Sequence, residues 1–373
     1  MVHKVADETA ERQLSFEAQG VEPQAFVTKP MVLSRSTVVT TPVFETYWRF
    51  AAERQNIFFR RIRGENGPWT QDPILRRFRF TNAYRVADRV SQYLIRHVQE
   101  DGPQDGPNLF FRTILFKLFN RIDTWQMLER ALGTITVDSY DGRVINEVLS
   151  AAMQRGQRIY SAAYIMPSGG REGSRKHQMH LRLVESMIQD DLAGRLAECK
   201  SMAEAFQLLR SYPTIGDFLG YQFVTDLNYT RLLDFSEMDF VVPGPGAKSG
   251  IRKCFADLGS YSEADIIRWM AEHQEEEFGK RGIDFGTLWG RPLQLIDCQN
   301  LFCEVDKYAR VHHPDIAGLS GRVRIKQEYR VNPSPIEFFL PVKWQLNDRI
   351  EACRASAVQT RLSEGARLAT SWA

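Results

Sequence analysis

A carboxylate before a glycine-rich turn and a basic helix is the pattern in this sequence most able to support chemistry. Asp239 precedes the string Val-Pro-Gly-Pro-Gly-Ala-Lys-Ser-Gly, which ends at Gly250. Glycines let the backbone turn its N–H groups outward, and a following helix adds the positive end of its dipole. The pattern predicts an anion site, such as one for a phosphate, with Asp239 facing the bound group. The predicted substrate-binding residues here are Gly244, Gly246, Lys248, Arg252 and Lys253.

Two further aspartates are candidates for the same catalytic role. Asp226 lies on a predicted helix, and Asp297 begins a stretch that is rich in glutamine and asparagine. A carboxylate beside a cationic loop can orient water, or stabilise positive charge that develops on a sugar as its base leaves. Asp297 has an alternative interpretation, because Glu304 and Lys307 have the helical spacing of a buried ion-pair network. That none of the three is catalytic also stays open.

The sequence upstream of Asp239 has the layout of a hairpin between two helices. Pro213, Gly216 and Gly220 frame a turn that leads into a predicted helix over 221–229. Such a hairpin exposes backbone N–H groups at a helix start, where a DNA phosphate can dock without base readout. We therefore predict DNA contacts at Gly216 and Gly220, and an ordinary helix–helix turn is the alternative.

Positive charge is concentrated in one segment although the formal net charge of the chain is only +2. From Arg49 to Arg96 there are eleven arginines, no lysines and four acids, a balance of 11 − 4 = +7. A segment whose basic residues are all arginines suits bidentate contact with phosphate and stacking on flat rings. The segment predicts a surface that faces nucleic acid, whereas a helix surface of Arg–Glu pairs is the alternative. The predicted DNA-binding arginines are Arg60, Arg61, Arg76 and Arg77.

Several functional classes lack support in the sequence. The five cysteines form no CxxC pair and the seven histidines show no HExxH spacing, so we predict no metal site, and no cofactor is indicated. The P-loop string GxxxxGK[ST] is absent, which argues against ATP-dependent phosphoryl transfer by this chain alone. No apolar run is long enough to span a bilayer, so we predict no membrane partner. A cytoplasmic protein associated with the nucleoid, or a nuclear one in a eukaryote, is expected.

The elements that must position these residues are mostly helices. Apolar spacing predicts an amphipathic helix from Phe44 to Phe58 and core helices over 110–122 and 125–132. A capping box at Ser201 and a start signal at Ser262 predict two more, the second continuing through the acids at 275–277, which are expected to face solvent. Alternating charge and apolarity over 322–329 predicts a strand in a small basic ribbon. We expect an N-terminal extension over 1–40, a helical domain over 41–347 and a C-terminal tail over 348–373.

The order of hairpin, helix and aspartate resembles the helix-hairpin-helix DNA glycosylases. In that superfamily a Pro-x-x-Gly-type hairpin is followed one helix later by a catalytic aspartate. The resemblance implies that Gly216 forms the turn and that Asp239 is the catalytic residue. Thr214 departs from the pattern because glycine is usual there, and the lysine nucleophile of the bifunctional branch has no counterpart.

Longer strings resemble the helical-domain family of 5-hydroxymethyl-deoxyuridine DNA kinases, often called DNA base hypermodification proteins. The strings are Tyr47-Trp-Arg-Phe-Ala-Ala-Glu-Arg-Gln55, Asp72-Pro-Ile-Leu, Phe80-Thr-Asn-Ala-Tyr-Arg85, Ile159-Tyr-Ser-Ala-Ala-Tyr164, Asp239-Phe-Val-Val-Pro-Gly-Pro-Gly246 and Asp297-Cys-Gln-Asn-Leu-Phe-Cys-Glu304. The likeness implies a mainly α fold, a helix-hairpin-helix glycosylase-like domain with a small β ribbon. It also implies DNA containing a modified pyrimidine as partner, and a separate P-loop kinase wherever phosphorylation is needed.

An enzyme that acts on a base in DNA must extrude it from the stack into a pocket. Amides that could read the Watson–Crick edge of such a base are Gln222, Asn228, Gln299 and Asn300. The expected reaction on a 5-hydroxymethyluracil-derived pyrimidine is glycosidic cleavage or group transfer at the 5-substituent. The alternatives are a non-catalytic DNA-binding module that positions a partner enzyme, and an enzyme for free nucleotides.

Overall fold

Fourteen labelled α-helices, a further helical stretch over 347–355 and a small antiparallel sheet make up the regular structure of the described residues. The computed structural model describes residues 26–161, 167, 175–331 and 337–355. The helices are α1 Pro42–Ile62, α2 Pro73–Arg77, α3 Arg89–Tyr93, α4 Gly106–Phe119, α5 Ile122–Leu132, α6 Gly142–Gln154, α7 Lys176–Gln189, α8 Leu192–Ala197, α9 Met202–Arg210, α10 Asp217–Leu227, α11 Pro245–Cys254, α12 Glu263–Glu272, α13 Gln274–Lys280 and α14 Leu295–His312. Single 3-10 turns occur at Arg85–Ala87 and Val342–Trp344, and α3 continues into a π-helical segment, Leu94–Glu100. The predicted mainly α fold with a small β ribbon is confirmed.

Local capping explains where several helices begin. Thr41 accepts a hydrogen bond from the Val43 amide in front of α1, and Pro42 takes the first helical position, where its missing N–H costs nothing. Ser201 accepts from the Glu204 amide at the start of α9. Ser262 and Asp265 form a complete capping box at α12. The starts at Ser201 and Ser262 were readable from sequence because each cap lies within four residues of its partner, whereas α1 begins two residues before the predicted Phe44.

Two helix predictions need correction. The helix predicted over 125–132 begins three residues earlier, at Ile122 after the N-cap Arg121, and ends at Leu132 as predicted. The helix that begins after Ser262 does not continue through the acidic run. It ends before His273, and a separate helix, α13, begins after that residue. Glu277 of that run is buried and pairs with Arg281 at 2.8 Å, so the run is not wholly a solvated face.

The sheet lies elsewhere than the sequence predicted. Strands β1 Lys29–Val32, β2 Thr37–Thr40 and β3 Phe255–Asp257 pair antiparallel in the order β1-β2-β3, with Met31 opposite Val38 and Thr40 opposite Phe255. The fully buried Val38 belongs to the segment expected to be an extension. The segment 322–329, expected to be a strand, forms only an isolated bridge, Phe78 to Glu328.

Helix α14 lies at the centre of the fold and packs against α11, α1 and α12. Its approach to α11 is close because a β-carbon added at Gly250 would lie 2.0 Å from the Phe302 carbonyl oxygen. Helix α10 packs in turn against α9 and α4. No helix within the described ranges is both long and apolar enough to cross a membrane. The division into residues 1–40, 41–347 and 348–373 stays a prediction.

Candidate nucleic-acid interface

A large cleft lies beside α1 and α2 in the segment where the arginines are concentrated. Its volume is about 930 Å³. We call it the arginine cleft. Its lining includes the arginines Arg54, Arg61, Arg76, Arg79, Arg89 and Arg330, the aromatic residues Trp69, Phe78, Phe80 and Tyr329, and the acids Asp88 and Glu328. Excess positive charge together with flat apolar side chains suits a phosphate backbone and unstacked bases.

Arg54 is the buried member of this arginine set. Its guanidinium donates to the carbonyl oxygen of Thr81 at 2.9 Å and to Asn82 Oδ1 at 2.9 Å. Burial lowers the pKa of Arg54 to about 10, so its charge persists at neutral pH. Its hydrogen bonds go to carbonyl and amide oxygens, and within the described residues it has no ion pair, so its charge adds to the field of the cleft.

The loop after α1 places an aromatic ring against the cleft. Arg60 Nη1 donates to the Trp69 carbonyl at 2.5 Å, and Trp69 Nε1 donates to the Glu65 carbonyl at 2.6 Å. The Arg61 guanidinium lies 5.2 Å from the centre of the Trp69 ring. Arg60 thus holds the loop, whereas Arg61 presents a cation stacked on an indole.

The opposite side of the cleft combines α2 with the chain near 328. Asp72 Oδ1 accepts from the Ile74 and Leu75 amides and so fixes the start of α2. The Tyr329 amide donates to the Arg77 carbonyl at 2.9 Å. In the described parts of the chain, Arg76 and Arg77 are exposed and have no carboxylate within ion-pair distance.

The alternative of Arg–Glu pairing holds for part of the arginine-rich segment. Arg49 pairs with Glu45 at 2.8 Å, and Arg63 pairs with Glu65 at 2.7 Å. Arg60 lies 4.0 Å from Glu53. The exposed arginines of the cleft do not share these pairs within the described ranges, so the segment contains both a paired helix surface and an unneutralised cleft.

The predicted hairpin and the predicted glycine turn meet at one place. The turn between α9 and α10 contains Thr214 at φ 71, the left-handed region that favours glycine, and Gly216 is the N-cap of α10. A β-carbon added at Gly244, the N-cap of α11, would lie 2.7 Å from the Phe218 ring and 3.7 Å from Gln299 Oε1. The N-termini of α10 and α11 therefore converge around Phe218.

Asp239 lies on the surface of the turn before α11. Arg268 donates to the carbonyl oxygens of Met238 at 2.6 Å and of Asp239 at 2.8 Å, which fixes the backbone of this turn. The Asp239 side chain is exposed and has no hydrogen-bond or ion-pair partner among the described residues. It is thus accessible, and its catalytic role stays a prediction.

The basic helix divides into exposed and internal charges. Lys248 and Arg252 are exposed, and Arg252 lies 3.4 Å from Glu263. Lys253 is buried, donates to the Asp306 carbonyl at 3.0 Å and lies 3.4 Å from the Asp306 carboxylate. Burial lowers the pKa of Lys253. Lys253 therefore joins α11 to α14 inside the protein and does not face an anion at the surface.

The glycines of this segment have a packing role that the sequence did not reveal. A β-carbon at Gly246 would lie 3.0 Å from Cys303 Sγ, and Gly250 has even less space beside Phe302. In the hairpin, a β-carbon at Gly220 would lie 3.1 Å from the Phe206 ring, so this glycine brings α10 close to α9. The glycine spacing predicted an anion turn, but at these positions it permits close contact between helices.

Asp226 is the centre of a buried ion network. Its carboxylate receives both terminal nitrogens of Arg85, at 2.7 and 2.9 Å, and Lys117 Nζ at 3.1 Å. Burial alone would raise the pKa of Asp226, but Arg85 and Lys117 hold it below its usual value. The carboxylate has no exposed surface, so it can orient neighbours but cannot touch a substrate in this conformation.

Asp297 is also internal. Its carboxylate accepts from the Arg85 amide at 2.7 Å and from the Gln294 amide at 3.0 Å, which caps α14. Burial raises the pKa of Asp297 to about 7. Lys307 Nζ lies 2.7 Å from the Glu304 carboxylate. This is the ion pair that the alternative interpretation of the stretch after Asp297 predicted.

The four predicted base-reading amides have different surroundings. Asn228 makes two bonds to the Phe235 backbone, at 2.9 and 3.0 Å, and so closes a loop. Gln222 Oε1 accepts from Arg85 Nε at 3.1 Å. Gln299 Nε2 donates to Asn300 Oδ1 at 3.1 Å. Gln222 and Gln299 are buried, each retains one polar atom without a described partner, and Asn300 is half-buried.

Helix α14 separates the glycine turn from the arginine cleft. Glu304 on α14 accepts from the Thr81 amide at 3.0 Å, beside the cleft, while the preceding Cys303 faces Gly246. An α-helix with its side chains is about 10–12 Å across. The two surfaces are therefore within about one helix diameter of each other.

Sequence reasoning had not selected several residues of the cleft by number. Arg54, Arg79 and Arg89 belong to the arginine-only segment that marked the region, so a signal for them existed. Trp69 and Arg330 lie in loops that line the cleft, and no local sequence pattern indicated that they would do so. Elsewhere in the described residues, no group of three or more His, Cys, Asp or Glu side chains could hold a metal ion.

Comparison with known proteins gives one family match and one curated relative. The family model described as 5-hmdU DNA kinase, helical domain, matches residues 41–318. A 5-hmdU DNA kinase of Bacillus phage SP10 is 28% identical over 298 residues, which cover 74% of this chain and 46% of that protein. The chain thus spans about half the length of this relative. No solved structure matches significantly, and the likeness to helix-hairpin-helix glycosylases stays a prediction.

Proposed function

The chain belongs to the family of 5-hmdU DNA kinase helical domains, and from that premise we propose that it binds DNA carrying a 5-hydroxymethyluracil-derived pyrimidine and acts on that base. The observation that carries the proposal is the arginine cleft, with six arginines and two acids around a volume of about 930 Å³. The relative from Bacillus phage SP10 is named as a kinase of 5-hmdU in DNA, which supports this choice of base.

DNA binding at the cleft rests on charge and shape. Exposed Arg76, Arg77 and Arg79 supply cations for phosphates, and Arg61 over Trp69 supplies a flat surface for a base. The hairpin at Gly216 and the turn at Gly244 lie across α14 and offer helix N-termini to further phosphates. A duplex that contacts both surfaces would bring an extruded base to the glycine turn, on the side of α14 away from the cleft.

The reaction we propose is carried out at Asp239, the accessible member of the three candidate aspartates. In glycosidic cleavage, Asp239 would orient a water molecule that adds to the sugar carbon as the base leaves, giving a free base and an abasic site. In group transfer, an incoming nucleophile would form a bond to the 5-methylene carbon as the bond from that carbon to a phosphate oxygen breaks, so that phosphate or pyrophosphate leaves as an anion and the glycosidic bond stays intact. The exposed Lys248 and Arg252 would favour an anionic leaving group.

A non-catalytic DNA-binding module is the second candidate function. It is favoured because the P-loop string is absent from the sequence, and because Asp226 and Asp297 are enclosed in internal hydrogen bonds. In this case the chain would hold modified DNA for a separate P-loop kinase.

One experiment distinguishes these functions. The protein is incubated with duplexes containing thymine, 5-hydroxymethyluracil or its phosphorylated form, and nucleosides and abasic sites are quantified by mass spectrometry. We expect a product that depends on the modified base and that Asp239→Asn abolishes without weakening DNA binding. Binding without any product supports the module, and the absence of binding to every duplex would contradict both functions.

A further inference from the structure

Two buried glutamines, one on α10 and one on α14, belong to the region where the N-termini of α10 and α11 meet. Gln222 is 0% exposed and Gln299 is 1% exposed. Among the described residues, neither Gln222 Nε2 nor Gln299 Oε1 has a hydrogen-bond partner. Phe218 lies one turn before Gln222 on α10, so both side chains share one helix face. The Phe218 ring and Gln299 Oε1 lie 2.7 and 3.7 Å from the position of a β-carbon on Gly244.

The buried ion network fixes which end of the Gln222 amide is available. Arg85 Nε donates to Gln222 Oε1 at 3.1 Å, and Asp226 holds both terminal nitrogens of the same guanidinium. If the Gln222 amide were rotated by 180°, its NH₂ group would face the N–H of Arg85 Nε. Both groups are donors, and arginine has no acceptor to offer. The available atom of Gln222 is therefore a hydrogen-bond donor whose orientation depends on Arg85 and Asp226.

Gln299 supplies the complementary atom. Its Nε2 donates to Asn300 Oδ1 at 3.1 Å, which leaves Oε1 as an acceptor. Buried polar atoms without a partner are uncommon in folded proteins and cost about 1–3 kcal/mol each. A ligand that presents an acceptor to Gln222 and a donor to Gln299 would remove both costs.

A uracil-type base has that arrangement on its Watson–Crick edge. Its N3–H is a donor and its O4 is an acceptor, whereas cytosine presents an acceptor at N3 and a donor at N4. The Phe218 ring is also similar in size and shape to a pyrimidine, since both are flat six-membered rings. The missing side chain at Gly244 lets such a ring lie against the start of α11.

We propose that Gln222 and Gln299 read the edge of an extruded uracil-type base that takes the place of the Phe218 ring, and that Asp226, acting through Arg85, is a positioning residue for this recognition. The inference rests on the proposed function and specifies its base. It also gives the buried Asp226 a role that requires no contact with the substrate.

The test compares affinities for two bases in one context. Duplexes carry 5-hydroxymethyluracil or 5-hydroxymethylcytosine opposite an abasic analogue, so that neither base is paired. We expect the protein to prefer the uracil-type base on the order of tenfold. Gln222→Leu and Gln299→Leu should each bring the ratio of dissociation constants close to one, whereas Gln222→Glu, which presents only acceptors, should shift the preference towards the cytosine-type base.

Gln55→Leu is the matched control. Gln55 is a buried glutamine of α1 whose Nε2 also lacks a described partner, so its loss should leave the ratio unchanged. A ratio that stays the same in all three Gln222 and Gln299 variants overturns the inference, as does an equal change in Gln55→Leu. Loss of wild-type binding to every duplex, including thymine duplexes, would instead contradict the proposed function.

Phe218→Ala gives a second measurement that does not depend on losing an amide. Removing the ring should leave a space of pyrimidine size, and apolar cavities made in this way can bind small ring compounds. We expect free 5-hydroxymethyluracil nucleoside, and not the cytosine nucleoside, to bind this variant, detected by ligand-observed NMR. A folded variant that binds neither nucleoside, or both equally, would count against the assignment.

Discussion

At the scale of single residues, the pairing of Asp226 decides what this carboxylate can do. It is enclosed between Arg85 and Lys117 with no exposed surface, so its charge is balanced by two cations. Asp226→Asn removes the negative charge and leaves those cations buried together. We expect the free energy of unfolding to fall by about 3–5 kcal/mol, the usual result when one partner of a buried pair is removed. Urea denaturation at neutral pH measures the change.

Asp239→Asn is the control for that measurement. Asp239 is exposed and its carboxylate has no partner in the described structure, so the same chemical change should alter the free energy of unfolding by less than about 0.5 kcal/mol. Equal destabilisation by both variants would contradict the buried ion network around Asp226.

Asp297 gives a prediction on pH. Burial raises its pKa from the usual value of 3.8 to about 7, so between these values the folded state binds more protons than the unfolded state. The contribution of Asp297 to stability should therefore fall by at most roughly 4 kcal/mol as pH rises from about 4 to about 7 and be constant outside that window. Asp297→Asn removes this titration. Urea denaturation at pH 5 and pH 8 should show a smaller pH dependence for the variant, and parallel profiles would contradict the prediction.

At the scale of elements, the contact between α11 and α14 depends on a missing side chain. A β-carbon at Gly250 would lie 2.0 Å from the Phe302 carbonyl oxygen, a distance at which one helix must move. We expect Gly250→Ala to lower the free energy of unfolding by about 1–3 kcal/mol or more through overpacking. In Gly279→Ala, at an exposed position of α13 with nothing within 4 Å of the new carbon, the higher helix propensity of alanine should instead raise stability by up to about 1 kcal/mol. Thermal unfolding compares the two, and a stable Gly250→Ala would mean that the helices are not packed this closely.

The same contact shows what the sequence could and could not predict. Caps at Ser201 and Ser262 were predicted correctly because they act within one helical turn. The segment 322–329 has the alternation of a strand, but a strand also needs a partner strand, and only one bridge to Phe78 forms. Likewise, the reason for Gly250 lies in Phe302, about fifty residues away, so the spacing of the glycines alone indicated a different role.

At the scale of the whole molecule, charge is distributed unevenly in a way that the net value conceals. The segment 49–96 carries +7 and the whole chain +2, so the remainder carries 2 − 7 = −5. The cleft lies along this segment, so the arginine-only composition and the cleft indicate the same region, whose contact with DNA stays a prediction. The composition alone did not separate Arg49, which pairs with Glu45 one turn away on α1, from Arg76, which has no carboxylate within ion-pair distance among the described residues.

The distribution of charge predicts how DNA binding responds to salt. Each phosphate contact releases counterions, so the logarithm of the binding constant should fall linearly with the logarithm of salt concentration, by about 0.9 for each contact. Arg76→Ala and Arg79→Ala should each reduce this slope by about one and weaken binding to all sequences similarly, since phosphate contacts carry no base information. Arg143→Ala, whose side chain is 80% exposed on α6, makes the same change in charge away from the cleft and should leave the slope unchanged. Fluorescence anisotropy over a range of salt concentrations measures all three. If Arg143→Ala changes the slope as much as the cleft variants do, binding reflects net charge alone, and the arginine cleft is not the surface that holds DNA.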